Sequence, residues 1–248
     1  MPRFLSLCLL LCLGVGAFAA DLRVGLSPGY PPLAYLQDGR VVGMEADHIL
    51  ALEKILNREM RVVQMPFEKL IPALLADEID VIMSGLSVTE ERAAQVAFSE
   101  PYLEIGQMAI VHRDKIAHFA QPWSIYREGV RIGVEPGTTG AQFAERELES
   151  AEGKFFADSA AAFAALRRDD IDLYIHDAPT SWQLATSDDN SDLISLYQAL
   201  TSEPLAWAVR KDDQRLLDSL NGALRTMRKS GTLQYIRNRW IPVTVEVR

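Results

Sequence analysis

Two stretches of the chain nearly repeat each other: Leu22-Arg23-Val24-Gly25-Leu26-Ser27-Pro28-Gly29 and Val130-Arg131-Ile132-Gly133-Val134-Glu135-Pro136-Gly137. Each is a short apolar run that stops at a Pro-Gly turn, the pattern of a buried strand and its exit. A second pair follows with identical internal spacing: Ala73-Leu74 and then Ile79-Asp80-Val81-Ile82, against Ala165-Leu166 and then Ile171-Asp172-Leu173-Tyr174-Ile175. One matched pair is compatible with chance. Two pairs in the same order call for a duplicated β-α-β plan, and so for two α/β lobes, each with a parallel-type sheet.

The residues between these landmarks fit that plan. A helix is expected over about 44–56, with Ile49, Leu52 and Leu56 on one stripe, then a strand at 61–65 and a helix over 68–76. The second half supplies helices near 141–149 and 160–168, a strand at 172–176 and a helix after Pro179. Two β-leaning apolar runs, 107–111 and 205–209, flank the second half, and the amphipathic tail over 213–240 has to return to the first lobe. The expected organisation is therefore a discontinuous lobe 1 (20–108 plus 205–248) and an inserted lobe 2 (109–204), joined by a two-strand hinge. In open α/β sheets a ligand lies beyond the carboxyl ends of the strands, and both lobes present such ends to one cleft.

Residues 1–19 have the form of a secretory signal peptide: Arg3, an apolar core from Phe4 to Val15, and an Ala17-Phe18-Ala19 cleavage site. The core is too short to span a bilayer. Both cysteines, Cys8 and Cys12, fall inside it, so the processed chain has no thiol for a disulfide, and Cys12 lies too early for a lipid anchor. The expected location is the periplasm. With 48% hydrophobic residues the remainder can bury a large core, and a formal charge of −9 spread without basic blocks argues against a nucleic-acid partner. The four histidines, His48, His112, His118 and His176, show no metal-ligand spacing, and neither a nucleophile elbow nor a P-loop occurs. No metal and no cofactor is expected.

The stretch with most chemical content is Ser84-Gly85-Leu86-Ser87-Val88-Thr89-Glu90-Glu91-Arg92, which follows the apolar strand 80–83 and leads into a helix. Ser87 and Glu90 have capping-box spacing, which predicts a helix start with free N–H groups over the sheet edge. Arg92 falls in the first turn, where the helix dipole disfavours a cation, unless something negative is gripped there. A surface arginine paired with Glu90 or Glu91 is the competing reading of the same residues.

This stretch, continued by Val96-Ala97-Phe98-Ser99-Glu100-Pro101-Tyr102, resembles the signature of the family 3 periplasmic solute-binding proteins, and the likeness runs from about Arg23 to Trp240. The resemblance implies the type II two-lobed periplasmic binding protein fold and a ligand that is an amino acid or a related small carboxylate. It implies that Arg92 takes the ligand's α-carboxylate in a bidentate pair, which a guanidinium suits. It places Ser84, Gly85 and Ser87 around that end. In the second lobe it implies Asp177 for the α-amino group, although an aspartate there also suits the cap of the next helix. Aligning the half-copies sets Ser84-Gly85 opposite His176-Asp177. Thr138 and Thr139, in Gly137-Thr138-Thr139-Gly140, match the turn that holds the carboxylate from the other side. Tyr30 and Phe67 match aromatics that flank the ligand side chain, though either residue type is as often core. Ser27 departs from the family members for basic amino acids, which often carry an aspartate there, and His176 is either a ligand contact or a structural histidine.

The implied function is delivery of the bound solute to a membrane transporter permease by a monomeric, non-catalytic protein. Two alternatives keep the same fold. Cyclohexadienyl dehydratases add a general acid shortly after the second-lobe aspartate, where this chain has Ala178-Pro179-Thr180-Ser181, leaving only Glu135 or His176 for such a role. A periplasmic sensor would instead dock its closed form on a receptor.

Overall fold

The computed structural model describes residues 21–196 and 198–241, so the expected signal peptide lies outside the described residues. Along the chain come β1 (Leu22–Leu26), then a small antiparallel sheet of β2 (Gly29–Tyr30), β3 (Ala34–Gln37) and β4 (Arg40–Val42), helix α1 (Met44–Leu56) and β5 (Met60–Gln64). A 3-10 turn leads into α2 (Leu70–Leu75), β6 (Val81–Ile82), the single-turn α3 (Glu90–Ala93), β7 (Ala97–Phe98), β8 (Leu103–Ile105) and β9 (Gln107–His112). The second half continues with β10 (Arg131–Val134), α4 (Thr139–Glu147), β11 (Glu152–Phe155), α5 (Ser159–Arg167), β12 (Leu173–Asp177), α6 (Ala178–Thr186) and β13 (Leu193–Ser195). The chain closes with β14 (Glu203–Leu205), β15 (Ala208–Val209), α7 (Gln214–Ser230) and α8 (Thr232–Trp240).

Two five-stranded sheets result, in the orders β5-β1-β6-β15-β7 and β11-β10-β12-β9-β13. They are the same sheet built twice. In each, the half-copy strand (β1 or β10) lies between two parallel neighbours, and the next two pairings, β6 to β15 to β7 and β12 to β9 to β13, are antiparallel. The repeat extends to side chains. Gly25 and Gly133 are glycine for one reason: a Cβ would stand 2.3 Å from Ile79 Cδ1 in the first lobe and 2.6 Å from Ile171 Cδ1 in the second. Arg23 and Arg131 each fork onto the aspartate that opens the third strand, with Nε and Nη2 at 3.0 and 2.7 Å from Asp80 and at the same distances from Asp172.

Helices cover both faces of each sheet, which is why the strands read as continuous apolar runs. In the first lobe α1, α7 and α8 enclose Leu22, Val24, Leu26, Leu52, Leu220 and Leu224, while Leu70, Leu74, Ile79 and Ile82 fill the opposite face. Each fully buried leucine of this kind contributes about 1.5–3 kcal/mol. The predicted tail helix is two helices, because Gly231 takes φ 78° and stops α7, whose start is capped by Asp213 on the Leu216 N–H at 3.0 Å.

The strands that pass between the sheets are β8 and β14, which pair antiparallel from Leu103↔Leu205 to Glu203↔Ile105. They start a few residues before the expected runs, and β14 overlaps the second run only at Leu205: 107–111 belongs wholly to the second sheet as β9, and Ala208–Val209 to the first as β15. An apolar run shows that a segment is buried, and only its pairing partners decide in which sheet. Among the described residues no helix is long and apolar enough to cross a membrane.

Candidate functional site

At the first-lobe side of the cleft, the chain leaves β6 through Ser84 and Gly85. Gly85 has φ 64°, and a Cβ there would sit 2.5 Å from Tyr30 Cε1, so only glycine fits the turn. Its N–H donates to Glu45 Oε1 at 2.9 Å, and Ser84 Oγ accepts from the Ser27 N–H at 2.9 Å. Both groups therefore hold strand ends together, and Gly85 also lines the cleft whereas Ser84 does not. Glu45 is wholly buried (0% exposed) and accepts from Gly85, from the Tyr102 hydroxyl at 2.6 Å and from Trp207 Nε1 at 3.2 Å, with His48 Nδ1 3.3 Å away. Burial pushes its carboxyl up, but the bonds from His48, Tyr102 and Gly85 prevail and hold it below the ordinary range. Tyr102 and Trp207 flank the crossing strands β8 and β14, so this one carboxylate ties the cleft turn to both of them.

The expected capping box is not formed. Thr89 caps α3, accepting from the Arg92 N–H at 3.2 Å, while Ser87 bridges to Leu205 and turns its carbonyl to Arg92. The difference arises because Ser87 is drawn into pairing with the hinge, which delays the helix by two positions. Arg92 is 5% exposed, so the surface-pair reading does not hold, and Glu91 instead accepts from Gln142 Nε2 at 3.0 Å. Its guanidinium donates to Ser87 O at 2.8 Å and to Gly137 O, in the other lobe, at 2.9 Å, and lies 5.6 Å from the centre of the Phe67 ring. Burial disfavours the cation, while the fields of Asp177, Glu203 and Glu91 favour it. Among the described residues no carboxylate forms an ion pair with Arg92, so a buried cation is held by carbonyls alone.

On the second-lobe side β12 ends in His176 and Asp177. Asp177 is 9% exposed, and its two oxygens accept from the Tyr30 hydroxyl of the first lobe and from Gln107 Nε2, not from the amides of α6. Burial raises its carboxyl above the ordinary range, against the pull of His176, Tyr30 and Gln107. His176 Nδ1 accepts from the Asp177 N–H at 2.8 Å, which leaves the Nε2 proton toward Glu135 Oε1, 3.6 Å away. Its ring packs edge-on against Tyr30 at 4.9 Å. Thr138 caps α4 on the Ala141 N–H at 3.1 Å and donates to Glu135 O at 2.8 Å, and Thr139 Oγ1 accepts from Gln107 Nε2 at 3.1 Å.

The lobes meet across the cleft through Tyr30 with Asp177, Arg92 with Gly137, Thr180 Oγ1 with Pro31 O at 2.9 Å, and Gln142 with Glu91. Gly137, at φ 74°, lets the second lobe come this close, since a Cβ there would lie 3.1 Å from the Glu68 Cβ. The cleft wall thus brings together Tyr30, Phe67, Gly85, Ser87, Arg92, Thr138, Thr139, His176 and Asp177. Of the residues expected there, Ser84 alone stands behind the wall. Sequence reading missed Gln107, 1% exposed, which orients Asp177 and Thr139 together; its only signal was a lone amide opening an apolar strand. It also missed Glu203, buried on β14, whose field reaches both Arg92 and Asp177. Among the described residues no group of three or more His, Cys, Asp or Glu side chains is placed to hold a metal ion.

A cation and an anion therefore face one another across a cleft between two lobes, each fixed by hydrogen bonds. Comparison with known proteins bears on what such a cleft serves. The model of the bacterial extracellular solute-binding proteins, family 3, matches residues 22–243. The chain is 31% identical over 250 residues to the ABC transporter arginine-binding protein 1 of Escherichia coli strain K12, covering 98% of this chain and 100% of that one. It is 29% identical over 231 residues to the arginine-binding periplasmic protein of Mannheimia haemolytica, covering 92% and 93%. Among solved structures it resembles the ancestral amino acid-binding protein AncCDT-1, a precursor of cyclohexadienyl dehydratase, with a TM-score of 0.83 and 31% identity over 89% of this chain and 95% of that one. Fold, duplicated sheets and sequence agree, and the chain belongs to the bacterial extracellular solute-binding proteins, family 3.

Proposed function

We propose that the protein is a periplasmic receptor that closes on a free α-amino acid and delivers it to an ABC-type membrane transporter. The observation that carries this reading is Arg92: a guanidinium 5% exposed, oriented by two carbonyls and without a paired carboxylate, at the mouth of a cleft. A buried cation left in that condition costs free energy until an anion joins it. The ligand's α-carboxylate supplies the anion, with Ser87, Thr138 and Thr139 as further polar partners. Its ammonium group goes to Asp177, whose carboxylate Gln107 holds in place, and Tyr30 and Phe67 flank what lies between. Because cation and anion belong to opposite lobes, only a closed cleft satisfies both ends of a zwitterion, and closure bends β8 and β14, the strands that pass between the two sheets. Relatives named for arginine binding and for the periplasm support this reading, as does the signal-peptide pattern of residues 1–19.

The protein binds and does not transform its ligand. The resemblance to a dehydratase precursor makes catalysis the reading to test against, but the run after Asp177 lacks a carboxylate to act as acid. A thermal-shift screen of the processed, monomeric protein against amino acids, each beside its deaminated and decarboxylated analogue, tests the proposal, since a ligand of the folded form raises its melting temperature. One or a few intact amino acids are expected to stabilise it and the analogues to fail. Equal stabilisation by either analogue refutes the two-ended clamp, and aromatic product from prephenate or arogenate refutes the non-catalytic reading.

A further inference from the structure

The two-ended clamp uses Arg92 and Asp177 and leaves Glu135, an ionisable group of the cleft wall, without a role. Glu135 directly precedes the Pro-Gly turn of the second half-copy, the position held by Ser27 in the first, and both residues line the cleft. Its side chain is 14% exposed. Only one of its oxygens is engaged. Oε1 accepts from the Tyr174 hydroxyl at 2.5 Å and from Ser159 Oγ at 3.3 Å, and these two donors also bond each other at 3.0 Å. Among the described residues no donor reaches Oε2. A carboxylate anchored through one oxygen at a cleft wall, with the other open, is a preorganised acceptor for a charged donor.

The charge balance of the cleft leads to the same place. Glu68, Glu135 and Asp177 line it, whereas Arg92 is the one lining residue of the arginine and lysine type. Glu203 adds its field from the hinge. A neutral zwitterion satisfies Arg92 and Asp177 and leaves the excess of negative charge as it was. A ligand with one more positive end offsets it, and an acidic side chain is repelled.

Resting on the α-amino-acid reading above, we propose that Glu135 is the specificity-determining residue for the ligand's side chain, and that the cleft selects an α-amino acid whose side chain ends in a positively charged nitrogen group. Glu135 receives that group on Oε2, while Tyr174 and Ser159 fix the carboxylate through Oε1. Ser27, its counterpart on the first lobe, is small and neutral and leaves room for the side chain to reach across.

Titration calorimetry with arginine and citrulline tests this, because the pair differ in a guanidinium against a neutral urea of nearly the same shape. Wild-type protein is expected to prefer arginine by about tenfold to a hundredfold. In Glu135→Gln the preference is expected to fall to about threefold or less, and Glu135→Asp, which keeps the charge, to retain part of it. Equal affinity for the two ligands in wild type, or a preference that survives Glu135→Gln, overturns the assignment; the wild-type ratio decides even where a variant fails to fold. Binding of amino acids without regard to side-chain charge removes Glu135 from its role and leaves the clamp intact. Failure of every α-amino acid to bind removes the clamp and this assignment with it.

Discussion

Replacing Arg92 by alanine separates the clamp from a merely structural role, because the two predict opposite balances of stability and affinity. In the ligand-free protein the guanidinium makes two hydrogen bonds to carbonyls, at 2.8 Å to Ser87 and 2.9 Å to Gly137, and lies over Phe67. Bonds from a charged donor are worth about 1.5–3 kcal/mol each, but the desolvation of the cation offsets several kcal/mol of that. The melting temperature of ligand-free Arg92→Ala should therefore stay within a few degrees of wild type, a shift of about 1 kcal/mol at most. In the complex, a buried carboxylate loses its only charged partner, which costs about 3–5 kcal/mol, or about two to three and a half orders of magnitude in affinity. Arg92→Lys keeps the charge and loses the planar fork, so it should lose about tenfold to a hundredfold. Titration calorimetry on both variants, with thermal melts of the ligand-free forms, provides the measurement. Affinity of Arg92→Ala within about threefold of wild type would refute the assignment, as would a loss of stability larger than the loss of binding.

Two further outcomes are expected. Burial raises the Asp177 carboxyl, so its ionisation opposes folding: the associated stability is fully present below the unfolded pKa and lost as pH rises through the folded one. Asp177→Asn should then melt no lower than wild type near pH 7 without ligand, yet bind amino acids at least about a hundredfold more weakly, and a lower melting point would contradict the burial argument. Glu45 has the opposite sign, held below the ordinary range, so its contribution is present above the unfolded pKa and fades as pH falls through the folded one. Glu45→Gln leaves the indole N–H of Trp207 or the His48 ring facing an amide donor, at a cost of about 3 kcal/mol in urea unfolding at pH 7. The gap to wild type should narrow in acid, and a gap that stays constant with pH would exclude the charged carboxylate as its source.

Local pattern made the duplicated β-α-β plan legible before any coordinates. A buried strand needs an apolar run, a sharp exit needs Pro-Gly, and the second appearance of both in the same order leaves little freedom about the architecture. Arg92, Asp177 and the Thr138-Thr139 turn were singled out by resemblance to the family signature, since Arg92 alone also reads as a surface ion pair and Asp177 alone as a helix cap. The four-residue helix that closes the 84–92 stretch was misjudged at its cap because Ser87 pairs with Leu205, a residue far away in the chain. Tyr30 reaches Asp177 across 147 residues, and Trp207 reaches Glu45 across 162. The first contact depends on how the two lobes are set against each other and the second on the return of the chain to the first lobe, and no local propensity encodes either. Residue order therefore determined two like sheets and the turns that face the cleft between them. Tertiary structure alone decided that Gln107 orients Asp177, that Glu45 ties the cleft turn to the hinge and that one oxygen of Glu135 stays open, since the direction of a side chain is set by the packing around it.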